Sequence, residues 1–160
     1  MTSTQQLADR WIELGIRSNG GLSAAEVSVL ERDHSVDLPQ DFRDYLIHLN
    51  GMDQTIPNAP DPNGFSIWPR ADLKSLEQEY RKRASLAPVP DIEQYYVFAD
   101  YLQWWWAYAI ALAGPELGRI KIAGFESPVD VADKFEDFVQ PYLADSPRLY
   151  GPTPRSLRKA

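Results

Sequence analysis

The chain has 160 residues, no cysteine, 44% hydrophobic and 12% aromatic residues, and a formal net charge of −7. One domain with one core is expected from that length. The apolar content exceeds that of a disordered chain, and without thiols there are no disulfides, thiolate nucleophiles or sulfur-ligated metal sites.

The first segment, roughly Thr4 to Ile16, spaces Leu7, Trp11 and Leu14 as one helical face, and Asn19-Gly20-Gly21 is expected to stop it. Ser23-Ala24-Ala25-Glu26 reads as a capping box opening a second helix that runs to about Asp33, with Val27 and Leu30 inward. Pro39 suits the first turn of a third helix, whose face is Phe42, Tyr45, Leu46 and Leu49 and whose end is Asn50-Gly51. Residues 52–64, with Pro57, Pro60, Pro62 and Asn63-Gly64, read as a surface loop.

A short strand is expected over Phe65–Trp68, then a middle helix from about Ala71 to Ala84 with Leu73, Leu76 and Tyr80 inward. Tyr95–Ala99 is aromatic and β-branched, as a buried strand prefers. Over Trp104–Leu112 large and small residues alternate, which predicts a strand with Trp104, Trp106, Tyr108, Ile110 and Leu112 facing the core. Trp105 and three alanines face the other way, Trp105 partly exposed and the alanines admitting a closely packed helix or loop. Residues 113–118 are turn chemistry, and Ile120 and Ile122 mark an inward-facing hairpin partner. A closing helix is expected from Asp130 to Ala144, with Val131, Phe135, Phe138, Val139 and Leu143 inward and Pro141 kinking it or ending it early.

This order predicts an α+β fold: an antiparallel sheet against which N-terminal helices, a middle helix and a closing C-terminal helix pack. Residues 1–146 form its single domain, and 147–160 are a basic, proline-containing tail expected to be a poorly ordered arm. Phe98, Tyr108, Ile110, Ile122, Phe135 and Phe138 are expected in one core joining the hairpin to the last helix.

Leu38-Pro39 through Leu46, Leu49-Asn50-Gly51, Val97-Phe98-Ala99-Asp100, Trp106-Ala107-Tyr108-Ala109-Ile110 and the closing Phe135-Glu136-Asp137-Phe138 resemble, in order and spacing, the SUKH superfamily over roughly residues 25–143. The departure is Asp100-Tyr101-Leu102-Gln103-Trp104-Trp105-Trp106, where many relatives carry a glycine-rich hairpin tip. The resemblance implies a protein-binding module: a bacterial immunity protein that neutralises a polymorphic toxin by stoichiometric binding, or an intracellular regulatory or scaffold protein without a toxin.

Charge agrees with a protein partner. Residues 1–147 hold 12 basic and 23 acidic groups, a net of −11, while Arg148, Arg155, Arg158 and Lys159 crowd the end. Such a body repels phosphate backbones, so no direct nucleic acid is expected, and the toxin that the resemblance implies is expected to have a basic surface; the alternative is that the acids only keep the protein soluble. The start of the chain lacks the pattern of a secretory leader, and no run reaches the ~20 apolar residues of a membrane helix, so a cytoplasmic location is expected.

Catalysis is not expected. His34 and His48 lack the i,i+4 spacing of a helical metal pair, and His48, four after Asp44, reads as an exposed ion pair. Nucleophile-elbow, phosphate-loop and dinucleotide motifs are missing, and Glu136/Asp137 and Asp41/Asp44 read as solvated helix faces. No cofactor or metal is expected. Arg81-Lys82-Arg83 fits a helix C-terminus better than a nucleic-acid patch. The residues expected to meet the partner are the loop acids Asp53, Asp61, Asp91, Glu93 and Asp100, with Trp105 as an aromatic anchor.

Overall fold

In a computed structural model, residues 1–53, 60–82, 89–124 and 128–150 are described. Helix α1 spans Ser3–Glu13, α2 Ala24–His34 and α3 Gln40–His48; strand β1 is Phe65–Ile67, β2 Lys74–Ser75, and helix α4 Leu76–Lys82. Strands β3 (Tyr95–Tyr101), β4 (Trp106–Ala111), β5 (Ile120–Ala123) and β6 (Val129–Ala132) follow, and helix α5 covers Phe135–Leu143. The fold is α+β, and every pairing is antiparallel, in the order β1-β3-β4-β5-β6 with β2 also pairing β3.

The capping box at Ser23 forms as expected: its hydroxyl accepts from the Glu26 amide, and the Glu26 carboxylate accepts from the Ser23 amide. Helix α1 stops earlier than its apolar spacing implied. Gly15 takes a left-handed φ of 71°, and the amides of Gly15 and Ile16 donate back to Ile12 and Trp11, closing the helix before the Asn-Gly-Gly run is reached. Leu14 is therefore left exposed.

The parity of β4 sorts the sheet into two faces. Trp106, Tyr108, Ile110 and Leu112 join the main core with Phe98, Ile120, Ile122, Phe135 and Phe138, under α1, α2, α3 and α5. Ala107, Ala109 and Ala111 lie on the second face, where Leu76 of α4, Val89, Tyr95 and Val97 pack. Trp104 departs from its expected side. It precedes β4, takes a left-handed φ of 72°, and packs on the second face against Trp68, with ring centres 5.6 Å apart.

Two expected helices are shorter. Between Ala71 and Ser75 the chain instead makes a 3₁₀ turn (Arg70–Asp72) and then β2, because Lys74 and Ser75 pair with Val97 and Tyr96 of β3. Likewise Val129-Asp130-Val131-Ala132 is not helical: its alternation belongs to a strand pairing β5, and α5 begins at Phe135. Pro141 lies inside α5 without ending it. Residues 147–150 are not a free arm. Leu149 is buried, its carbonyl accepts from the Tyr108 hydroxyl, and Arg148 donates to the Val131 carbonyl at 2.7 Å. The rest of the basic tail, 151–160, lies outside the described residues, as do the Pro57 part of the surface loop and the end of the expected middle helix from Arg83.

The β3–β4 connection contains no glycine, yet Leu102, Gln103 and Trp104 hold φ of 44°, 54° and 72° in succession. Each such residue costs about 1–2 kcal/mol against an ordinary conformation. The Gln103 side chain is exposed, so Gln103→Gly is expected to stabilise the fold by about 0.5–1 kcal/mol, after the extra chain entropy of glycine is subtracted. A reversible urea melt checks this; destabilisation would mean that the left-handed run is not strained.

Candidate functional site

The β3–β4 tip is built on a buried carboxylate. Asp100, at the end of β3, accepts from the Trp68 indole N–H and from the Trp104 amide, both at 2.9 Å. The Trp105 amide donates to the Tyr101 carbonyl, and the Leu102 amide to Gly64. Below this turn the Tyr101 and Trp106 rings stack at 4.3 Å. Gly64 is required at this spot, since a Cβ there would come within 2.9 Å of the Leu102 and Tyr101 side chains. Held from both sides, the tip projects Trp105 with 70% of its surface exposed and Leu102 with 38%. Left-handed, non-glycine residues in series persist only where surrounding contacts over-determine them, and they concentrate at functional sites.

Beside the tip lies a crevice of about 230 Å³ lined by Ser66, Trp68, Asp72, Lys74, Asp100, Gln103 and Trp104. Its Asp72 wall is placed by the end of α3. Asn50 and Gly51 both have positive φ, the Asn50 side-chain oxygen accepts from the Arg70 amide at 2.8 Å, and a Cβ on Gly51 would fall 2.2 Å from the Pro69 nitrogen. The Asn-Gly pair thus ends α3 and docks the 69–72 turn against it.

The six residues expected to meet a partner are not brought together. Trp105 stands exposed, as expected. Asp91 and Glu93 are exposed, but they sit at the Tyr95 end of β3, roughly 20 Å from the tip by the rise of a strand. Asp53 is partly exposed, and its amide donates to the Arg17 carbonyl. Asp61 and Asp100 are not exposed loop charges: both are buried, Asp100 within β3 and Asp61 beneath the β1 turn.

Asp61 accepts from the amides of Asn63 and Phe65 at 2.9 Å and from the Tyr142 hydroxyl at 2.6 Å, and the Trp11 indole in turn donates to Tyr142 at 3.2 Å. Burial pushes the Tyr142 phenol above its ordinary range and the Asp61 charge adds to this, so the hydroxyl remains a donor. The carboxylate is internal because it satisfies the turn amides that start β1, where sequence composition shows only a proline-rich loop. Asp61→Ala is accordingly expected to cost at least about 3 kcal/mol, since it strands a buried hydroxyl and two amides. A chemical melt checks this, and a loss below about 1 kcal/mol would contradict the internal role.

A second concavity, about 800 Å³ between the chain start, α3 and α5, is lined by Asp41, Asp44, His48, Glu136 and Asp137 among others. Its polar groups are largely committed to the fold. Asp41 accepts from the amides of Phe42 and Glu136, Asp44 accepts from Gln40, and Glu136 pairs with Lys134. The expected Asp44–His48 ion pair does not form: the His48 ring contacts the Asp44 backbone carbonyl at 2.7 Å, because the carboxylate is turned back toward Gln40. His34 stands edge-on to Tyr96, far from this groove in sequence and element. Arg81 and Lys82 pair with Glu77 and Glu79 of the same helix, while Arg83 lies outside the described residues. Among the described residues no group of three His, Asp or Glu could hold a metal ion, and no helix is long and apolar enough to cross a membrane.

What sequence reasoning missed is the crevice, with Trp68, Asp72 and Trp104. The available signal was a hairpin tip without glycine, which forces side-chain-bearing residues into left-handed conformations and so demands a braced turn. No curated protein matches the chain. The family model described as SMI1 / KNR4 family (SUKH-1) matches residues 21–140, which include α2, α3, the whole braced hairpin and the start of α5. The chain belongs to the SMI1 / KNR4 family (SUKH-1).

Proposed function

We propose that this domain is a protein-binding module that works as an immunity protein, neutralising a cognate toxin in the cytoplasm by stoichiometric binding and not by catalysis. The observation that carries the reading is Trp105, 70% exposed on a glycine-free tip held by hydrogen bonds to Asp100, Tyr101 and Gly64. A large exposed aromatic on a hydrogen-bonded turn is the chemistry of an interface anchor, because the turn leaves less backbone entropy to be lost on binding. The family supports a protein partner, and the resemblance to SUKH immunity proteins supports a toxin. The acidic body supports a basic surface on that partner, which charge would steer into encounter.

The charge element is tested with the three acids that retain exposure. Asp53→Asn, Asp91→Asn and Glu93→Gln together are expected to slow association with a basic toxin and flatten its salt dependence. Stability should change by no more than about 0.5 kcal/mol per site. Stopped-flow association at two salt concentrations gives the answer, and a rate equal to wild type at low salt would remove electrostatic steering from the reading.

A further inference from the structure

We infer that the crevice beside the tip is a receptor for one arginine side chain of the partner, so that binding has two points: Trp105 inserted into the partner, and a partner guanidinium inserted here. The inference rests on the protein-binding reading and adds the chemistry of the contact.

Size comes first. At about 230 Å³ the crevice is smaller than the roughly 300–1,000 Å³ of small-molecule and cofactor pockets. It holds one long side chain and is too small for a folded segment. Its walls then select the side chain. The half-buried Trp104 ring lies against the buried Trp68 ring, 5.6 Å away and tilted by 52°, and the two together form an aromatic wall on which a flat cation can rest. The chain already uses one of them in this way: the Lys74 ammonium stands 5.4 Å from the centre of the Trp68 ring. Lys74 is exposed and can swing away to solvent, so its position marks the crevice as favourable to a cation without closing it.

The counter-charge is Asp72, half-buried in the wall, whose carboxylate pairs with none of the described side chains. Asp100 contributes negative charge from below, although its oxygens already accept from the Trp68 indole and the Trp104 amide. A guanidinium meets this set better than an ammonium. It is planar, it is more weakly hydrated, and it can face an indole while two of its N–H groups reach a carboxylate. The net charge of −11 over residues 1–147 adds long-range attraction for such a group.

The test uses the folded full-length protein and Nα-acetyl-arginine methylamide as the probe, followed by NMR at the Trp68 indole N–H and the Trp104 backbone amide. The expected result is a saturable shift of both signals. It should be about tenfold weaker in Asp72→Asn and clearly weaker for the lysine analogue, absent for the neutral citrulline analogue, and unchanged in Trp105→Ala. The inference is overturned by no saturable shift up to about 50 mM probe, by citrulline binding as well as arginine, or by an Asp72→Asn variant that binds like wild type. These outcomes are separable from the fate of the protein-binding reading. A silent crevice beside a Trp105-dependent toxin complex removes only the arginine contact. A probe that binds as expected, with no protein complex depending on Trp105, removes the reading of the tip and leaves a guanidinium site.

Discussion

Truncating Phe138 to alanine is expected to destabilise the domain by about 3–5 kcal/mol, a large share of the 5–15 kcal/mol that holds a domain together. Phe138 is fully buried, with its ring 5.2 Å from Phe98 and 5.4 Å from Tyr108. It is where α5 meets the two central strands, and removing it leaves a cavity that these rings, fixed by strand pairing, cannot collapse to fill. Tyr108 is also tied to the carbonyl of Leu149 and accepts from the Trp106 indole at 2.8 Å, so strain there reaches the hairpin base. A reversible denaturant melt measures the loss. A change below about 1 kcal/mol would mean that α5 is docked elsewhere.

Trp105→Ala is the opposite kind of variant: it should leave the fold alone and damage binding. With the ring 70% exposed, stability should stay within about 0.5 kcal/mol of wild type. Affinity for the toxin should fall by about 2–4 kcal/mol, roughly 30- to 1,000-fold, as for a central aromatic anchor, with most of the change in the dissociation rate. Calorimetric titration of the pair reads this directly, and an affinity within about twofold of wild type would show that the tip is not at the interface.

The elements legible in the sequence were those with strong local signals. The Ser23-Glu26 capping box, the start of α3 after Pro39, its Asn-Gly end and the two-faced alternation of β4 all lie where their local chemistry put them. The main core was legible for the same reason, since Phe98, Tyr108, Ile110, Ile122, Phe135 and Phe138 each lie on the apolar side of their element. Misreadings arose where long-range pairing decided the outcome. Lys74-Ser75 carries helix-compatible residues and becomes a strand because β3 offers an open edge, and Val129–Ala132 becomes a strand beside β5 although Val131 merges with the pattern of the helix that follows.

The candidate site was half legible. Trp105 is exposed because it precedes β4 on the turn, whereas the alanines of its parity, Ala107, Ala109 and Ala111, are fully buried. The loop acids were judged by the irregular composition around them, and that composition hides the turn amides that draw Asp61 inside. Asp100 was misplaced because β3 runs two residues further than its apolar stretch. The crevice has no spacing rule, since it joins a 3₁₀ turn, a short strand and a hairpin tip that meet only in the fold.

The most direct measurement mixes the purified domain with its proposed cognate toxin, at increasing molar ratio, while following toxin activity and the mass of the complex. The expected result is a single 1:1 complex and activity that falls linearly to zero at equivalence, with Trp105→Ala shifting the curve to large excess. Toxin that stays active in molar excess of the domain would contradict it, and so would complete inactivation by a small fraction of an equivalent, which only turnover can achieve.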